Sequence, residues 1–578
     1  MIRQEIEKAI REALSALGAP KVDFVVERPG SMGHGDYATN AALKAMGPAS
    51  HGNFSNSFEK NSTWTVGRPN SFTEEFKNPR NLAEKLKEVL LSKQIQGVKD
   101  IQVAGSGFIN FTLAGNAVKD IVHEAHAKEW GSNNLYKGKT VMVEYTDPNP
   151  FKQFHIGHLM SNAIGESIAR ILEQSGAHVS RANYQGDVGP HVAKALFVLL
   201  EKNIANPTIE DISKAYVEGA TRYEENPQDK LAIDQLNKKI YEKTDERVNA
   251  LYEIGRRLSL QHFEELYHIL GTNFDFYFFE SETAQKGLEI VLARPEIFEQ
   301  SEGAIVFHGE KYGLHTRVFV NKLGLPTYEA KDLGLIVEKQ QRGPSDEYIY
   351  ITASEQAEYF KVLFEAAKLV FPEIGEKLVH RAHGMMRFAS GKMSSRTGNV
   401  VTGESLLMDL MEEARKKMEG RELKDASAVA QAVAVGAIKY AVLKQGSGKD
   451  IIFDPEKSLS LEGDSGPYVQ YALVRARALL RNAASAKVVD PQPAGPMPVE
   501  RLVIYFPDVV ERAASELEPH YVATYLTELA AAFNAWYASE RMIVDGQITS
   551  RTLAVVKAIE NTLAKGLQVL GIPTPEEM

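Results

Sequence analysis

The sequence contains no cysteine, which excludes disulfide bonds and zinc sites built on thiolates and fits a reducing compartment. It also has no uninterrupted apolar run of about 18 residues, the length that a membrane-spanning helix needs. Its first residues, MIRQEIEKAIREAL, have the pattern of an amphipathic helix and not of a signal peptide. Together these absences predict a soluble, cytoplasmic protein that has no membrane partner.

The sequence also has fewer basic than acidic residues. The 66 lysines and arginines are outnumbered by 76 acidic residues, which gives a formal net charge of -10. Because phosphate binding draws on Lys and Arg, this balance argues weakly against a nucleic-acid partner. A multidomain enzyme can carry a local basic track under a negative average, however, so the sign of the net charge decides little.

What remains is a long chain of ordinary globular composition. Apolar residues make up 44% and charged residues 25% of the 578 residues. Such a chain is too long for a single hydrophobic core, so about three or four domains are expected.

The stretch from Lys139 to Gly176 organises the chain. A short apolar run around Val141 to Tyr145 is broken by prolines, and an amphipathic segment from about Ile156 to Gln174 follows. This pattern predicts a buried strand, a turn and a helix. The turn contains His155-Ile156-Gly157-His158, where the helix begins.

The two histidines of this turn suit a phosphate. The first turn of a helix has unpaired N–H groups and partial positive charge, so it attracts anions. His155 and His158 share one helix face and can donate hydrogen bonds to phosphate oxygens, while Gly157 leaves room for a flat purine. The pattern fits the α-phosphate of ATP, although an isolated motif of this kind equally fits surface or packed histidines.

A second stretch, Ser390 to Asn399, supplies context. Its glycines and serines predict a mobile loop that carries Lys392 and Arg396. Cations on a closing loop can neutralise the charge that builds up as pyrophosphate leaves. A solvated basic loop is the commoner fate of such a run, but it is the weaker explanation beside a histidine helix start.

His155-Ile156-Gly157-His158 matches the first signature of the class I aminoacyl-tRNA synthetases, and Lys392-Met393-Ser394-Ser395-Arg396 resembles the second. Ser395 departs from the second signature because it stands where a lysine is usual, which leaves the charge to Lys392 and Arg396. The surrounding residues resemble the arginyl-tRNA synthetases over nearly the whole chain. The resemblance implies His155, His158, Lys392 and Arg396 as catalytic residues and the following as the ATP site: His155, Gly157, His158, His380, Gly384, Met385, Lys392, Ser394 and Ser395.

The implied fold is multidomain α/β. Its parts are an N-terminal α+β domain over residues 1–115 that binds the tRNA corner, with a polar insert at about 47–77, and a Rossmann-type, doubly wound parallel catalytic domain over 116–402. That domain carries a helical insertion at about 190–300, in which the stretch from about His191 to Glu280 reads as all-helical. After it the sheet is expected to resume with Ala304–Phe307 and Arg317–Val320. A helical stem-contact region at 403–455 and an all-α anticodon-binding bundle at 456–578 complete the expected division.

Arginine itself sets demands on its pocket. A guanidinium presents five donors in a plane and is best matched by carboxylates. Five residues match the family's arginine-binding positions: Glu144, Asn149, Tyr328, Asp332 and Gln356. Glu144 or Asp332 would pair with the guanidinium, while Asn149 and Gln356 would hold the amino-acid head or orient neighbouring groups.

Contacts with tRNA rest on resemblance and on the need for aromatic faces and polar groups against unstacked bases. The candidates are Tyr37, Asn40, Tyr468, Gln470, Tyr471, Arg475, Trp536, Tyr537 and Met578. Several of these are expected to be core residues.

Metal binding has two interpretations. His155 and His158 together with His380 and His383 are two H-x-x-H pairs that could hold zinc, although structural zinc usually recruits cysteine. We expect no resident metal, with Mg²⁺ arriving bound to ATP.

The resemblance therefore implies an arginyl-tRNA synthetase that acts as a monomer, with L-arginine, ATP and arginine tRNA as partners. Arginine would attack the α-phosphate of ATP to give arginyl-adenylate, and the tRNA 3′ end would then take the arginyl group. Two alternatives remain open. A nucleotidylyltransferase uses the same histidine signature but has no need of the helical C-terminal third, and a non-catalytic RNA-binding relative could lose His155, His158 and Lys392.

Overall fold

The computed structural model describes residues 2–47, 76–389, 401–492 and 494–578. Almost all of the predicted insert at 47–77 lies outside the described residues. Four residues of the second signature also lie outside the described residues: Lys392, Ser394, Ser395 and Arg396.

A five-stranded sheet forms the centre of the catalytic region. In spatial order its strands are Leu378–His383, Glu347–Ala353, Thr140–Glu144, His178–Gln185 and Phe276–Phe279. Every neighbouring pair is parallel. The order is that of a doubly wound sheet, whose direction of winding reverses between Thr140–Glu144 and Glu347–Ala353, where ligands bind at the carboxyl ends. The predicted Rossmann-type sheet is confirmed.

The central strands are apolar because both faces of the sheet are covered. Val141 and Val143 pack into one core with Ile349 and Ile351, and Met142 packs into another with Tyr348. A parallel sheet covered on both sides requires near-continuous apolar strands of this kind.

The helices of the catalytic region flank this sheet. They are Ile156–Gln174, Pro190–Glu201, Ile209–Glu225, Pro227–Glu242, Glu246–Leu270, Glu280–Leu292, Tyr328–Arg342, Ala357–Val370 and Pro372–Gly375. Short 3₁₀ turns occur at Gly309–Tyr312 and Ser354–Gln356. We call Ile156–Gln174 the histidine helix.

Two details of the predicted insertion are wrong. The stretch up to Glu280 is not all-helical, because the aromatic run Phe276–Phe279 is the edge strand of the central sheet. Nor does the central sheet resume at Ala304–Phe307 and Arg317–Val320. In a separate antiparallel sheet, Ala304–Phe307 is the middle strand and pairs with Glu299–Ser301 on one side and with Arg317–Val320 on the other. Gly303, with φ 85°, allows the tight hairpin between Glu299–Ser301 and Ala304–Phe307.

The N-terminal region is α+β, as predicted. Its strands form an antiparallel sheet in the order Val26–Glu27, Tyr37–Thr39, Phe108–Leu113 and Val98–Ala104. Its helices are Ile2–Ala16, Ala41–Met46, Pro79–Lys93 and Gly115–Glu124, with a 3₁₀ turn at Met32–His34.

The C-terminal region is mainly helical, also as predicted. Its helices are Gly403–Lys417, Ala426–Leu443, Pro455–Ser458, Gly466–Ala483, Pro498–Val503, Phe506–Glu516, His520–Ser539 and Ser550–Val569. Two short parallel pairs accompany them, Met386–Phe388 with Ile451–Phe453 and Lys487–Val489 with Gln547–Thr549.

Helix Ala426–Leu443 is long and apolar enough to cross a membrane by length and composition. It is nevertheless 72% buried inside the fold, and Gln431 and Lys439 interrupt its apolar run. Packing in the interior therefore accounts for its composition.

The chain packs as two compact units that cut across the predicted domain boundaries. One combines Met1–Trp130 with Asn482–Asp508 and Trp536–Asn561, and the other combines Gly131–Arg481 with Val509–Ala535 and Thr562–Met578. The catalytic region, the predicted stem-contact helices and the final residues of the chain therefore share one unit.

Candidate active site

A loop of unusual backbone conformation follows the central strand Thr140–Glu144. Thr146, Asp147 and Phe151 have φ angles of 80°, 47° and 69°, in the left-handed region that non-glycine residues rarely adopt. Such residues cost about 1–3 kcal/mol each and cluster at functional sites. The loop therefore needs strong support from its neighbours.

That support comes from both sides. The Thr146 N–H donates to Ser161 Oγ at 3.0 Å, and Asn162 Nδ2 donates to Thr146 Oγ1 at 3.0 Å. The Phe151 N–H donates to Ser259 Oγ at 3.1 Å. The histidine helix and the insertion helix Glu246–Leu270 thus hold the loop between them.

The histidine turn begins directly after this loop. The N–H of His155 donates to His158 Nδ1 at 3.2 Å, and the N–H of His158 donates to His155 Nδ1 at 3.4 Å. The two rings stack with centroids 3.4 Å apart. A Cβ on Gly157 would lie 3.0 Å from the His155 ring, so the missing side chain lets that imidazole fold back over the first helical turn.

Both histidines are poised as neutral donors. Since each Nδ1 accepts a hydrogen bond, the proton of each neutral ring sits on Nε2. Burial lowers the pKa of His155, and the Lys152 ammonium lowers it further. Burial, His155 and Lys152 together hold the pKa of His158 well below its usual range. The turn therefore offers N–H donors to an anion without protonated imidazoles.

The segment after the second signature is anchored beside this turn. The Gly403 N–H donates to Phe154 O at 2.8 Å, and a Cβ on Gly403 would lie only 2.8 Å from His155 O. Thr402 caps the helix Gly403–Lys417 that starts there. In the sequence, residues 390–400 therefore closely precede a helix whose first residue contacts the histidine turn.

The remaining predicted ATP residues belong to the strand Leu378–His383 and its exit. His380 Nε2 and Thr352 Oγ1 are 2.8 Å apart, and the His380 ring stacks on Phe360 at 4.4 Å. Burial, aided by His383 and Arg381, lowers the pKa of His380 to about 4.

The strand exit is shaped by a glycine. A Cβ on Gly384 would lie 2.2 Å from Lys449 O, so no other residue fits that crossing. Met385 next to it is 41% exposed, and its N–H donates to Asp450 Oδ1 at 2.9 Å.

Among the residues that the structure describes, no group of three or more His, Asp or Glu side chains could hold a metal ion. His155 and His158 stack on each other, while His380 bonds with Thr352. The four-imidazole zinc site is therefore not formed.

Four carboxyl groups lie in or near the strained loop and act electrostatically on Asp147 or Asp332. We call them the acidic pocket: Glu144, Asp147, Glu280 and Asp332. Lys339 Nζ lies 2.6 Å from Glu144 Oε2, and Lys331 Nζ donates to Glu280 Oε2 at 2.7 Å. The Tyr359 hydroxyl donates to Asp332 Oδ2 at 2.5 Å. Lys339 and Lys331 thus pair directly with two of the four carboxyls, Glu144 and Glu280.

Burial, and after it the neighbouring carboxyls, raises pKa values in the acidic pocket. Burial raises the pKa of Asp332 to about 8, with a further upward push from Glu144 and Glu280 against the Tyr359 hydrogen bond. Burial and Glu144 also raise the pKa of Asp147 well above its ordinary value. A cation that entered the pocket would restore the ionised carboxylates.

The predicted arginine residues divide into two groups. Glu144 and Asp332 belong to the acidic pocket, and Asn149 adjoins it, since its Oδ1 accepts from the Gly186 N–H at 3.0 Å. A Cβ on Gly186 would lie 2.3 Å from that Oδ1 and 3.0 Å from Glu280 Oε1, so the glycine lets the two side chains meet.

Tyr328 and Gln356 lie outside this buried group. Tyr328 is 62% exposed at the start of its helix, with Lys331 Nζ 5.2 Å from the ring centroid. Gln356 is exposed at the end of the turn Ser354–Gln356, three positions before Tyr359.

Sequence reasoning missed several residues of this site, namely Asp147, Lys152, Glu280, Lys331, Lys339 and Tyr359. A signal for Glu280 existed. The aromatic run Phe276–Phe279 has the composition of a strand, and the residue after a parallel strand lies at the carboxyl edge, where ligands bind.

The predicted tRNA residues of the N-terminal region are engaged internally. Tyr37 is buried, and its hydroxyl donates to Asp508 Oδ2 at 3.0 Å. Asn40 Oδ1 accepts from the Val25 N–H at 3.1 Å. Their contact with RNA stays a prediction. Both side chains already make hydrogen bonds inside the fold.

The predicted tRNA residues of the C-terminal region differ in how exposed they are. Gln470 is fully buried, and its amide donates to Ala432 O and Pro573 O. Met578 packs against the core that contains Phe154. Tyr537, by contrast, is 42% exposed.

The other three aromatic candidates and Arg475 are partly buried. The Arg475 guanidinium lies 4.7 Å from the Tyr471 ring centroid and donates to Asn534. Tyr468 is partly buried near the start of the same helix, and Trp536 Nε1 donates to Glu540 at 3.1 Å.

Family models cover almost the whole chain. The model of the class I tRNA synthetase (R) catalytic domain matches residues 120–455, that of the DALR anticodon binding domain matches 469–578, and that of the arginyl tRNA synthetase N-terminal domain matches 3–113. An anticodon-binding match over about the last fifth of the chain removes the case for a small-metabolite nucleotidylyltransferase.

Individual relatives agree with the models. The arginine–tRNA ligase of Clostridium beijerinckii is 30% identical and aligns with 87% of this chain and 91% of its own length. That of Limosilactobacillus reuteri is 29% identical over the full length of both chains. The solved structure of Thermus thermophilus arginyl-tRNA synthetase superposes with a TM-score of 0.77 at 26% identity, covering both chains completely. The chain belongs to the arginyl-tRNA synthetases, a family of class I aminoacyl-tRNA synthetases.

Proposed function

We propose that this chain activates L-arginine with ATP and transfers the arginyl group to the 3′ end of arginine tRNA, with the histidine turn and the acidic pocket as its two halves. One observation carries the proposal. Neutral imidazole donors directly follow the strained loop Thr146–Phe151, and the incompletely neutralised acidic pocket includes Asp147 of that loop, at the carboxyl edge of the central sheet.

The histidine turn would bind the nucleotide. The Nε2–H groups of His155 and His158 would donate to the α-phosphate while the arginine carboxylate attacks its phosphorus and pyrophosphate leaves. No side chain needs to act as a nucleophile, so catalysis rests on positioning and on stabilising the developing charge. Gly157, His380, Gly384 and Met385 would contact the rest of the nucleotide.

Cations would stabilise the departing pyrophosphate. Lys392 and Arg396 have this role by position in the second signature, with Ser394 and Ser395 beside them. Lys152 adds a further charge near the turn, since it lowers the pKa of both histidines. Ser395 stands where a lysine is usual and carries no charge. Lys152 would supply the positive charge that is missing there.

The acidic pocket would bind the arginine side chain. Asp332 and Glu144 would accept from the guanidinium fork, and Asn149 with Gln356 would hold the amino-acid head beside Tyr328. A lysine ammonium is a point charge that leaves acceptors in such a pocket unpaired, and unpaired buried acceptors give strong discrimination.

Mg²⁺ would enter with ATP. Among the described residues no group of three or more His, Asp or Glu side chains is arranged to hold a metal ion, and Mg²⁺ commonly binds through substrate phosphates and water. When bound with ATP, Mg²⁺ would neutralise negative charge on the phosphates. We place no protein ligand on it.

The C-terminal bundle would read the anticodon with Tyr468, Tyr471, Arg475, Trp536, Tyr537 and Met578, and the N-terminal domain would contact the tRNA corner near Asn40. Gln470 and Tyr37 are buried and hydrogen-bonded inside the fold, so they would support these surfaces and not touch RNA themselves. We further propose a cytoplasmic monomer. Stem contacts would come from the helices of residues 403–455.

The test is arginine-dependent exchange of pyrophosphate into ATP, with and without arginine tRNA. Exchange that requires tRNA would support both the substrate and a coupling between tRNA and activation. Exchange without tRNA would keep the enzyme and remove that coupling. No exchange under either condition would leave a non-catalytic RNA-binding relative.

A further inference from the structure

Lys339 is the more deeply buried of the two lysines in the acidic pocket, with only 1% of its surface exposed. It follows Asp332 by two turns on helix Tyr328–Arg342, so both side chains lie on the same helix face, about 10 Å apart along the axis. An ammonium buried to this degree needs compensation from its surroundings.

Two neighbouring strands supply that compensation. Glu144 and Tyr350 are paired residues of the strands Thr140–Glu144 and Glu347–Ala353, so their side chains stand side by side on one face of the central sheet. Lys339 Nζ lies 2.6 Å from Glu144 Oε2 and 3.6 Å from the centroid of the Tyr350 ring. Since the face of an aromatic ring attracts a cation, the ammonium is held between the carboxylate and the ring.

The contact between Lys339 and Glu144 is ionic and is not a hydrogen bond. Although the ammonium is close, the buried Oε2 of Glu144 has no hydrogen-bond partner in the part of the chain that the structure describes. A buried acceptor without a donor is unfavourable, and a guanidinium carries five N–H donors. Lys339 thus neutralises Glu144 and leaves its acceptor lone pairs available to a ligand.

The other charged groups around Lys339 also belong to the acidic pocket. Burial lowers the pKa of Lys339, and Glu144, Asp147 and Asp332 oppose that shift. Lys331 is engaged elsewhere, because its Nζ donates to Glu280 Oε2 at 2.7 Å and to the Tyr241 hydroxyl at 3.2 Å. Of these two ammonium groups, Lys339 is therefore the one that can orient Glu144.

We propose that Lys339 is a positioning residue of the arginine pocket, which holds the Glu144 carboxylate charged and in place so that its Oε2 accepts from the guanidinium. This inference rests on the proposed function and deepens it. The two carboxyls assigned to the guanidinium then differ in role. Asp332 becomes ionised when arginine arrives, whereas Glu144 is held ready by Lys339, which does not touch the substrate.

Lys339→Met tests the proposal, because it removes the charge and keeps the length of the side chain. Without the ammonium, Glu144 is a buried carboxyl beside Asp147 and Asp332, which favours uptake of a proton. In ATP–pyrophosphate exchange with arginine tRNA present, we expect KM for arginine at pH 7 to rise about 20-fold, the effect of losing a hydrogen bond to a charged group. The kcat value and KM for ATP should stay within about threefold.

The pH profile separates this role from general damage to the fold. Between pH 7 and pH 9 the carboxylate of Glu144 should reform in Lys339→Met, so the ratio of its KM for arginine to that of the unmodified chain should fall towards one. Lys286→Met is the matched control, because Lys286 pairs with Glu338 at 2.6 Å on the same helix. It should match the unmodified chain at every pH.

A double-mutant cycle with Glu144→Gln tests whether Lys339 acts through Glu144. Adding Lys339→Met to Glu144→Gln should change kcat/KM for arginine by less than about twofold, because the group that Lys339 orients is already gone. The double variant lacks both charges of the pair, so this comparison decides the question even where Lys339→Met alone does not fold.

An unchanged KM for arginine in Lys339→Met would overturn the proposal. So would a defect that persists at pH 9, or losses that add in the double variant. An unmodified chain that shows no arginine-dependent exchange, even with tRNA, would instead refute the proposed function.

Discussion

Two buried carboxyl groups, Glu166 and Asp332, have opposite surroundings. Glu166 accepts from Arg170 Nε at 2.6 Å, from Arg181 Nε at 3.1 Å and from the Tyr145 hydroxyl. Asp332 accepts from the Tyr359 hydroxyl and lies near two further carboxyls, Glu144 and Glu280.

Their pKa values follow from these partners. Burial pushes the pKa of Glu166 up, but Arg181, Arg170 and Lys439 outweigh burial and bring it below its ordinary value. At Asp332 burial prevails and the pKa rises to about 8. Burial alone therefore does not identify a functional acid. A carboxyl that the fold neutralises is structural, whereas one that the fold leaves under-neutralised can receive a cationic substrate.

The largest effect should come from Asp332→Asn. The variant keeps the shape of the pocket but cannot become a carboxylate when the guanidinium arrives. We expect kcat/KM for arginine to fall about 10³-fold, as for a lost partner in a buried charge pair, with KM for ATP nearly unchanged. Steady-state ATP–pyrophosphate exchange measures both values.

The matched control is Glu338→Gln on the same helix, because Glu338 pairs with Lys286 away from the acidic pocket. It should leave arginine use intact. Unaltered arginine kinetics in Asp332→Asn would refute the assignment of the pocket.

Glu166→Gln should act on stability instead. Removing its charge leaves Arg170 and Arg181 facing a neutral group in the interior, which typically destabilises a fold by about 3–5 kcal/mol. Urea unfolding followed by circular dichroism would show the loss. Glu173→Gln, which removes the other and more exposed partner of Arg181, should lower the free energy of unfolding by less than about 1 kcal/mol. Equal losses in the two variants would contradict the contrast drawn here.

The smallest effect is a pH dependence of arginine binding. With a pKa of about 8, Asp332 is mostly protonated at pH 7 in the free protein, and a bound guanidinium favours its carboxylate form. Binding should therefore release up to about one proton, and affinity for arginine should rise by at most about tenfold per pH unit towards pH 8.

Isothermal titration calorimetry in buffers of different ionisation enthalpy measures this proton release. Asp332→Asn should remove the share of this release that comes from Asp332, and Asp147, whose pKa is also raised by burial and by Glu144, accounts for any release that remains. Arginine binding at pH 7 without net proton release in the unmodified chain would show that Asp332 is already ionised.

Much of the fold follows from local patterns. The apolar run before Tyr145, the histidine turn and the long amphipathic helix predict a strand, a turn and a helix, because each signal lies within a few residues. The aromatic strand Phe276–Phe279 was missed because its charged, helical surroundings masked a four-residue element. Glu280, the first residue after that strand, was missed for the same reason.

Local patterns in the sequence identify the family, the doubly wound sheet and the helix start at the histidine turn, because His155, Gly157 and His158 act through contacts with their own helix. The charge balance, in contrast, follows from long-range packing. Lys339 meets Glu144, Lys331 meets Glu280, and Lys439 meets two helix ends across long sequence separations. Whether a buried charge is neutralised depends on which distant elements pack against it, and no local pattern encodes that.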